Sequence, residues 1–97
     1  MNIVITEQAT IKLREIVFYL QSEFGNLVAN KFLDNVEHQL LMIKNEYTIG
    51  KKEFKIYYSL VLVKQVKVYY KVIEDTIYVM TFFDTRQSTK RLKQILP

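Results

Sequence analysis

Six residues in the second half of this sequence, Lys55, Tyr57, Lys67, Tyr69, Lys71 and Arg86, have the types and spacing to act on an anionic partner. In Lys55-x-Tyr57-x-Ser59 and Lys67-x-Tyr69-x-Lys71, ammonium groups, phenol rings and a hydroxyl recur at every second position. An extended strand points alternate residues to one side, so each run would present its polar set on a single face. Such a face offers charge for phosphates or carboxylates and flat apolar area for bases or partner side chains. Arg86 follows the last apolar run closely enough to reach the same region. A solvated sheet face whose lysines discourage edge pairing carries the same pattern, so periodicity alone leaves both readings open.

Most other chemistry lacks its residues. There is no cysteine and a single histidine, His38, so neither a thiolate metal site nor a histidine-based catalytic pair can be assembled. No metal ion and no cofactor is expected. Two glycines cannot supply a phosphate-cradling loop, and no Walker, dinucleotide-binding or HExxH motif is present. Ser59 and His38 fall in different elements with no triad context. His38, on the polar side of a helix, reads as an ordinary surface residue.

The charge is unevenly spread. Net charge is +4, yet residues 1–50 hold four basic residues against six acidic ones, a balance of −2. Residues 51–97 hold ten against four, a balance of +6. A field concentrated on one half steers an acidic partner. With 49% hydrophobic and 25% charged residues the chain is a folded one, and 97 residues make one domain, residues 1–97. No segment reads as an export signal. The longest uncharged stretches, Ile56 to Val63 and Thr76 to Phe83, are strand-length and far short of a membrane span. A soluble, cytoplasmic protein without membrane contact is expected, and the sequence leaves oligomeric state open.

The elements that must position the six residues follow from the hydrophobic period. Met1 to Ile5 reads as a short strand. Thr6 fits a helix N-cap, and Ala9, Leu13, Ile16, Val17, Leu20 and Phe24 form a stripe at helical spacing through about Ser22. Gly25-Asn26 breaks it, Gly25 suited to a C-cap and Asn26 to capping the next helix. Val28, Phe32, Val36, Leu40, Ile43 and Tyr47 make a second stripe to about Asn45, so the two helices form an antiparallel hairpin. After Gly50 the period drops to two. Phe54 to Val63, Val66 to Val72 and Thr76 to Phe83 read as three strands of a meander, turning at Lys64-Gln65 and Glu74-Asp75, one face on the helices and the other open to water. Ser88 or Thr89 caps a short final helix carrying Leu92, Ile95 and Leu96. The predicted class is α+β, in the order β-α-α-β-β-β plus that helix, with the hairpin packed on a mainly antiparallel sheet.

This order, with Ile3-Val4-Ile5-Thr6-Glu7, Leu13-Arg14-Glu15-Ile16, Phe32-Leu33 and above all Val66 to Gln87, "VKVYYKVIEDTIYVMTFFDTRQ", resembles the RelE/ParE toxin superfamily over nearly the whole chain. The resemblance implies the toxin half of a bacterial type II toxin–antitoxin module, with growth inhibition, plasmid stabilisation and a cognate antitoxin whose C-terminal segment wraps over the toxin. RelE-like members enter the ribosome and cut mRNA without a metal. ParE-like members lack the nuclease set and poison DNA gyrase.

Against the nuclease pattern, Lys55, Lys67 and Arg86 fall where that branch has basic residues. Tyr57 stands where it has a second lysine, and Leu92 where it has a C-terminal tyrosine or similar acid/base group. Metal-free RNA cleavage needs a base, an acid and cationic stabilisation of the phosphorane. Lys55, Lys67 and Arg86 supply only the last, with Tyr57 as a candidate for proton transfer. The long apolar-rich hairpin also resembles the ParE branch. The resemblance thus implies a gyrase-directed toxin first, a ribosome-dependent endoribonuclease second, and a degenerate binding module third.

Overall fold

Thr6 is where the chain leaves its first strand and enters a helix. In the computed structural model, which describes residues 1–96, β1 spans Asn2–Ile5 and α1 spans Glu7–Phe24. The Thr6 hydroxyl accepts from the Ala9 N–H at 3.2 Å and donates to the Val79 carbonyl at 2.8 Å. One side chain therefore caps the helix and ties it to the sheet. Gly25 then takes φ +91°, a conformation that suits only glycine, and the chain reverses into α2, Asn26–Asn45. The N-cap of α2 is Gly25 and has no side chain to offer; Asn26, expected as that cap, lies inside the helix.

From the two stripes, Ala9, Phe32, Val36 and Ile43 are buried, and Leu13, Ile16, Val17, Leu20 and Leu40 pack beside them. Phe24 and Val28 depart from the predicted stripes. They project at the tip of the hairpin and are exposed. Asn35 of α2 donates to the Leu62 carbonyl, a second tie between hairpin and sheet.

A single-turn 3-10 helix, Tyr47–Ile49, leads into β2, Lys51–Phe54, followed by β3, Tyr57–Val63, β4, Val66–Ile73, and β5, Thr76–Asp84. The sheet order is β1-β5-β4-β3-β2, with β1 parallel to β5 and the other pairs antiparallel. The α+β class and the order of elements are as predicted. The strand predicted over Phe54 to Val63 is instead divided by a tight turn at Lys55-Ile56. Phe54 pairs directly with Tyr57 across it, and Lys55 sits at φ +51°, the left-handed region. Lysine enters that region at a cost of about 1–2 kcal/mol, and neither residue signals a turn in the sequence.

One sheet face meets the hairpin through Leu62, Val66, Val68, Tyr70, Ile77, Val79 and Phe82. An irregularity between Tyr69 and Tyr70 pairs them with Thr81 and Val79, which puts Phe82 on the same face as Val79 despite the odd spacing. The opposite face, expected to lie open to water, is covered. The last helix, α3, Thr89–Ile95, capped by Ser88, lays Leu92 and Ile95, with Leu96 just beyond, over Tyr57, Tyr69 and Phe83. Burying those rings is the physical reason: each would otherwise leave a large apolar surface in water.

Candidate functional site

The sheet ladder fixes which predicted site residues stand together. Tyr57 pairs with Lys71, and Lys71 with Tyr78; Ser59 pairs with Tyr69; Lys67 pairs with Phe83. Residues opposite one another share a face, so Tyr57, Ser59, Lys67, Tyr69 and Lys71 all lie on the face that α3 covers. The sequence parity is right for these five. Lys55 is not on the face at all; it is exposed in the β2–β3 turn.

Their environments differ sharply. Tyr57 and Tyr69 are each only 3% exposed, so neither phenol ring is a free platform. Phe54 packs on Tyr57 with ring centres 5.5 Å apart, and Phe83 meets Tyr69 edge-on at 6.2 Å. Burial pushes the Tyr69 hydroxyl above its ordinary pKa, with nearby Lys67 pulling the other way. Lys71 is half-buried.

Lys67 is engaged by a carboxylate that sequence reading left out. Its Nζ lies 2.9 Å from Glu53 Oε1, and the Ser59 hydroxyl donates to the same oxygen at 2.7 Å. The hydrogen bond from Lys67, then that from Ser59, holds Glu53 below the usual carboxylate range. The same bond raises Lys67 above the usual lysine value. Glu53 escapes notice because β2 is irregular: it falls between Lys52, paired with Tyr58, and Phe54, paired with Tyr57. That irregularity lets Glu53 reach across β3 to β4.

Glu53→Ala should therefore lower stability by about 1–2 kcal/mol, since a half-buried ammonium loses its partner. The sign with pH follows from the lowered carboxylate. Its contribution is full above the ordinary glutamate pKa and is lost as pH falls through the depressed folded value. Urea midpoints measured from pH 7 down to 3 should show the gap between wild type and variant closing. A gap that stays constant across that range would contradict this pairing.

Arg86 is likewise paired. It follows β5 at the rim, 61% exposed in its side chain, with Nη2 at 2.6 Å from Asp84 Oδ2 and Nε at 3.0 Å from Oδ1. The guanidinium holds Asp84 below its ordinary pKa. Beside this pair, α1, the β3–β4 turn and the end of β5 enclose a groove of about 390 Å³. Its floor is Ile16, Leu20, Phe32, Val66 and Phe82, and the pairs Lys12–Glu15 and Arg86–Asp84 stand at its edge with Lys64. These residues are far apart in the chain, and no sequence signal joins them.

His38 is exposed on α2, as predicted. Among the described residues no group of three His, Cys, Asp or Glu side chains could hold a metal, and no helix is long and apolar enough to cross a membrane. The structure thus gathers four of the six predicted residues, Tyr57, Lys67, Tyr69 and Lys71, on one covered face, with Lys55 in the adjoining turn and Arg86 at the rim. It ties Lys67 and Arg86 to carboxylates.

A family model described as "ParE toxin of type II toxin-antitoxin system, parDE" matches residues 3–89. Among solved structures, the fold is similar to one titled "Chromosomal ParDE TA system from P. aeruginosa", at TM-score 0.75 and 17% identity over 87% of this chain and 95% of that one. It is also similar to the YoeB dimer from Staphylococcus aureus, at TM-score 0.57 and 20% identity over 84% and 92% of the two chains. The YoeB–YefM complex from the same organism matches at TM-score 0.57 and 21% identity over 84% and 93%. No curated protein sequence is similar enough to this chain to count as a match.

Proposed function

Because the chain belongs to the ParE toxin family of type II toxin–antitoxin systems, we propose that it arrests growth by binding DNA gyrase, without cutting RNA, and that a cognate antitoxin neutralises it. The observation that carries this reading is the state of two of the three would-be nuclease cations; the third, Lys55, lies in the β2–β3 turn, off the face that holds Lys67. Lys67 is held by Glu53 at 2.9 Å and Arg86 by Asp84 at 2.6 Å. A cation already neutralised by a carboxylate stabilises a developing phosphorane weakly. Tyr57, the remaining candidate for proton transfer, is 3% exposed beneath α3, which argues against its meeting a 2′-hydroxyl. Binding asks none of these groups to move a proton. The groove beside α1 supports the antitoxin half through its apolar floor, which suits a bulky apolar anchor, with Lys64 the one cation of its lining that forms no ion pair among the described residues.

Inducing the chain in cells while pulse-labelling DNA and protein synthesis tests the proposal. DNA synthesis should fail first, and the purified chain should inhibit supercoiling by purified gyrase. Early loss of protein synthesis, with mRNA cut at codon-defined positions and the cutting abolished by Arg86→Ala, would overturn it in favour of a ribosome-dependent nuclease. Growth unaffected by high expression would instead leave a chain that only binds.

A further inference from the structure

Six of the cations that form no ion pair among the described residues stand on the side of the molecule that α3 covers. Lys51 pairs with Ser59 and Lys71 with Tyr57, which places both on that face, and Lys55 occupies the turn next to Phe54. Lys90, Arg91 and Lys93 are exposed on α3 itself, whose apolar side holds the sheet. None of these six forms an ion pair within 4.0 Å among the described residues. Among the described strand residues, Glu53 is the carboxylate whose hydrogen bonds place it on this face, where its Oε1 accepts from Lys67 and Ser59. α3 contributes three positive charges and no negative one. Collecting six like charges is electrostatically unfavourable in the isolated chain and becomes favourable against a polyanion.

The aromatic residues decide which polyanion. Single-stranded nucleic acid is bound through exposed rings on which bases stack. Here Tyr57, Tyr69 and Phe83 lie under α3, each 5% exposed or less, and the rings that are well exposed, Phe18, Tyr19 and Phe24, belong to α1. An acidic protein segment would want apolar anchors, which the outer side of α3, with Lys90, Arg91, Lys93 and Gln94, does not offer. What remains is charge without stacking or anchoring, the requirement for phosphates presented on the outside of a helix. We infer that the α3 side of this protein binds the phosphate backbone of a duplex nucleic acid, without regard to sequence. This activity is independent of gyrase binding.

The consequence is a steep dependence on salt. Each phosphate neutralised on B-DNA contributes about −0.9 to the slope of log K against log salt, so six contacts give about −5. Fluorescence anisotropy of the full chain with a labelled DNA duplex of arbitrary sequence, titrated with salt, measures it directly. The triple variant Lys90→Glu, Arg91→Glu, Lys93→Glu should weaken binding more than tenfold and flatten the slope by about 3. Arg14→Glu, Lys31→Glu, Lys44→Glu on the hairpin changes net charge equally and should cost far less.

Because Lys93 lies in the last turn of α3 and a glutamate there opposes the helix dipole, the corresponding triple change to Gln is the second variant. It should weaken binding in the same direction with the fold intact by circular dichroism. A DNA or an RNA duplex binding better than a single strand of equal length bears out the inference. Preference for the single strand, for poly-glutamate over duplex, or equal losses in the α3 and hairpin variants would overturn it.

Discussion

Leu92→Ala lowers stability by about 2–5 kcal/mol and releases α3 from the sheet. The helix has seven residues, Thr89–Ile95, too few to persist without tertiary support. That support comes from Leu92, 3% exposed, Leu96, 1% exposed, and the partly buried Ile95. Leu92 is the one of the three that lies mid-helix. Its carbonyl also accepts from the Leu96 N–H at 2.9 Å, so the position joins the helix hydrogen bonds to the second core. Truncating it removes burial from both sides of the contact at once and leaves Tyr57, Tyr69 and Phe83 facing water.

Chemical denaturation gives the size of the loss, and hydrogen exchange gives its place. Amides of α3 should lose protection while those of β4 and β5 keep most of theirs. Protection that falls evenly across the sheet would mean that α3 folds as part of one unit with it, contrary to this reading. Lys90→Ala, an exposed change on the same helix, should move stability by no more than about 0.5 kcal/mol.

That covered face is also where sequence reading reaches its limit. The helical hairpin was legible because two stripes of apolar residues at spacing three and four persist for five turns each, and Thr6 and Gly25 mark their ends. The core parity of β4 was legible for the same reason, with Val66, Val68 and Tyr70 buried as their alternation predicts. The turn at Lys55-Ile56 was not. It contains no glycine, proline or asparagine, and the alternation of residue types runs through it in the sequence, whereas in the fold Phe54 and Tyr57, three apart, pack on one face from either side of the turn. The candidate site suffered from a subtler ambiguity. Alternating Lys and Tyr describes both an exposed binding face and a face whose rings are buried and whose lysines reach past them. Only α3 distinguishes the two, and its Leu92, Ile95 and Leu96 give too short a pattern to reveal where it docks. The charge imbalance between the halves still has a structural counterpart, since six cations of the second half that form no ion pair among the described residues border the same face.

The second large effect belongs to Tyr70 and to alkaline pH. Tyr70 is wholly buried, its ring stacked on Tyr58 at 5.6 Å and its hydroxyl donating to the Tyr47 carbonyl at 2.7 Å. Gly50 passes so close that a Cβ there would overlap the Tyr70 hydroxyl and come within 2.9 Å of the Ser59 carbonyl oxygen, so the pocket is shaped to the neutral phenol. Burial first, opposed by the Gly50 backbone and aided by Tyr58, pushes the hydroxyl up to about 12.

In the unfolded chain the same group ionises near pH 10. Below that value neither state loses the proton and the stability is whole. As pH rises from about 10 to about 12 the unfolded state alone is stabilised by ionisation, so stability falls, by about 2–3 kcal/mol for two pH units. Tyr70→Phe should be less stable by about 1 kcal/mol at pH 8, where the Tyr47 carbonyl loses its donor. It should also lose less stability than wild type as pH rises, so that the two curves converge or cross before pH 12. Lysine deprotonation and the raised Tyr69 act on both proteins alike and cancel in the comparison. Urea midpoints for the pair at pH 8, 10, 11 and 12 decide the matter. Parallel curves would mean that the Tyr70 hydroxyl ionises as freely in the fold as outside it.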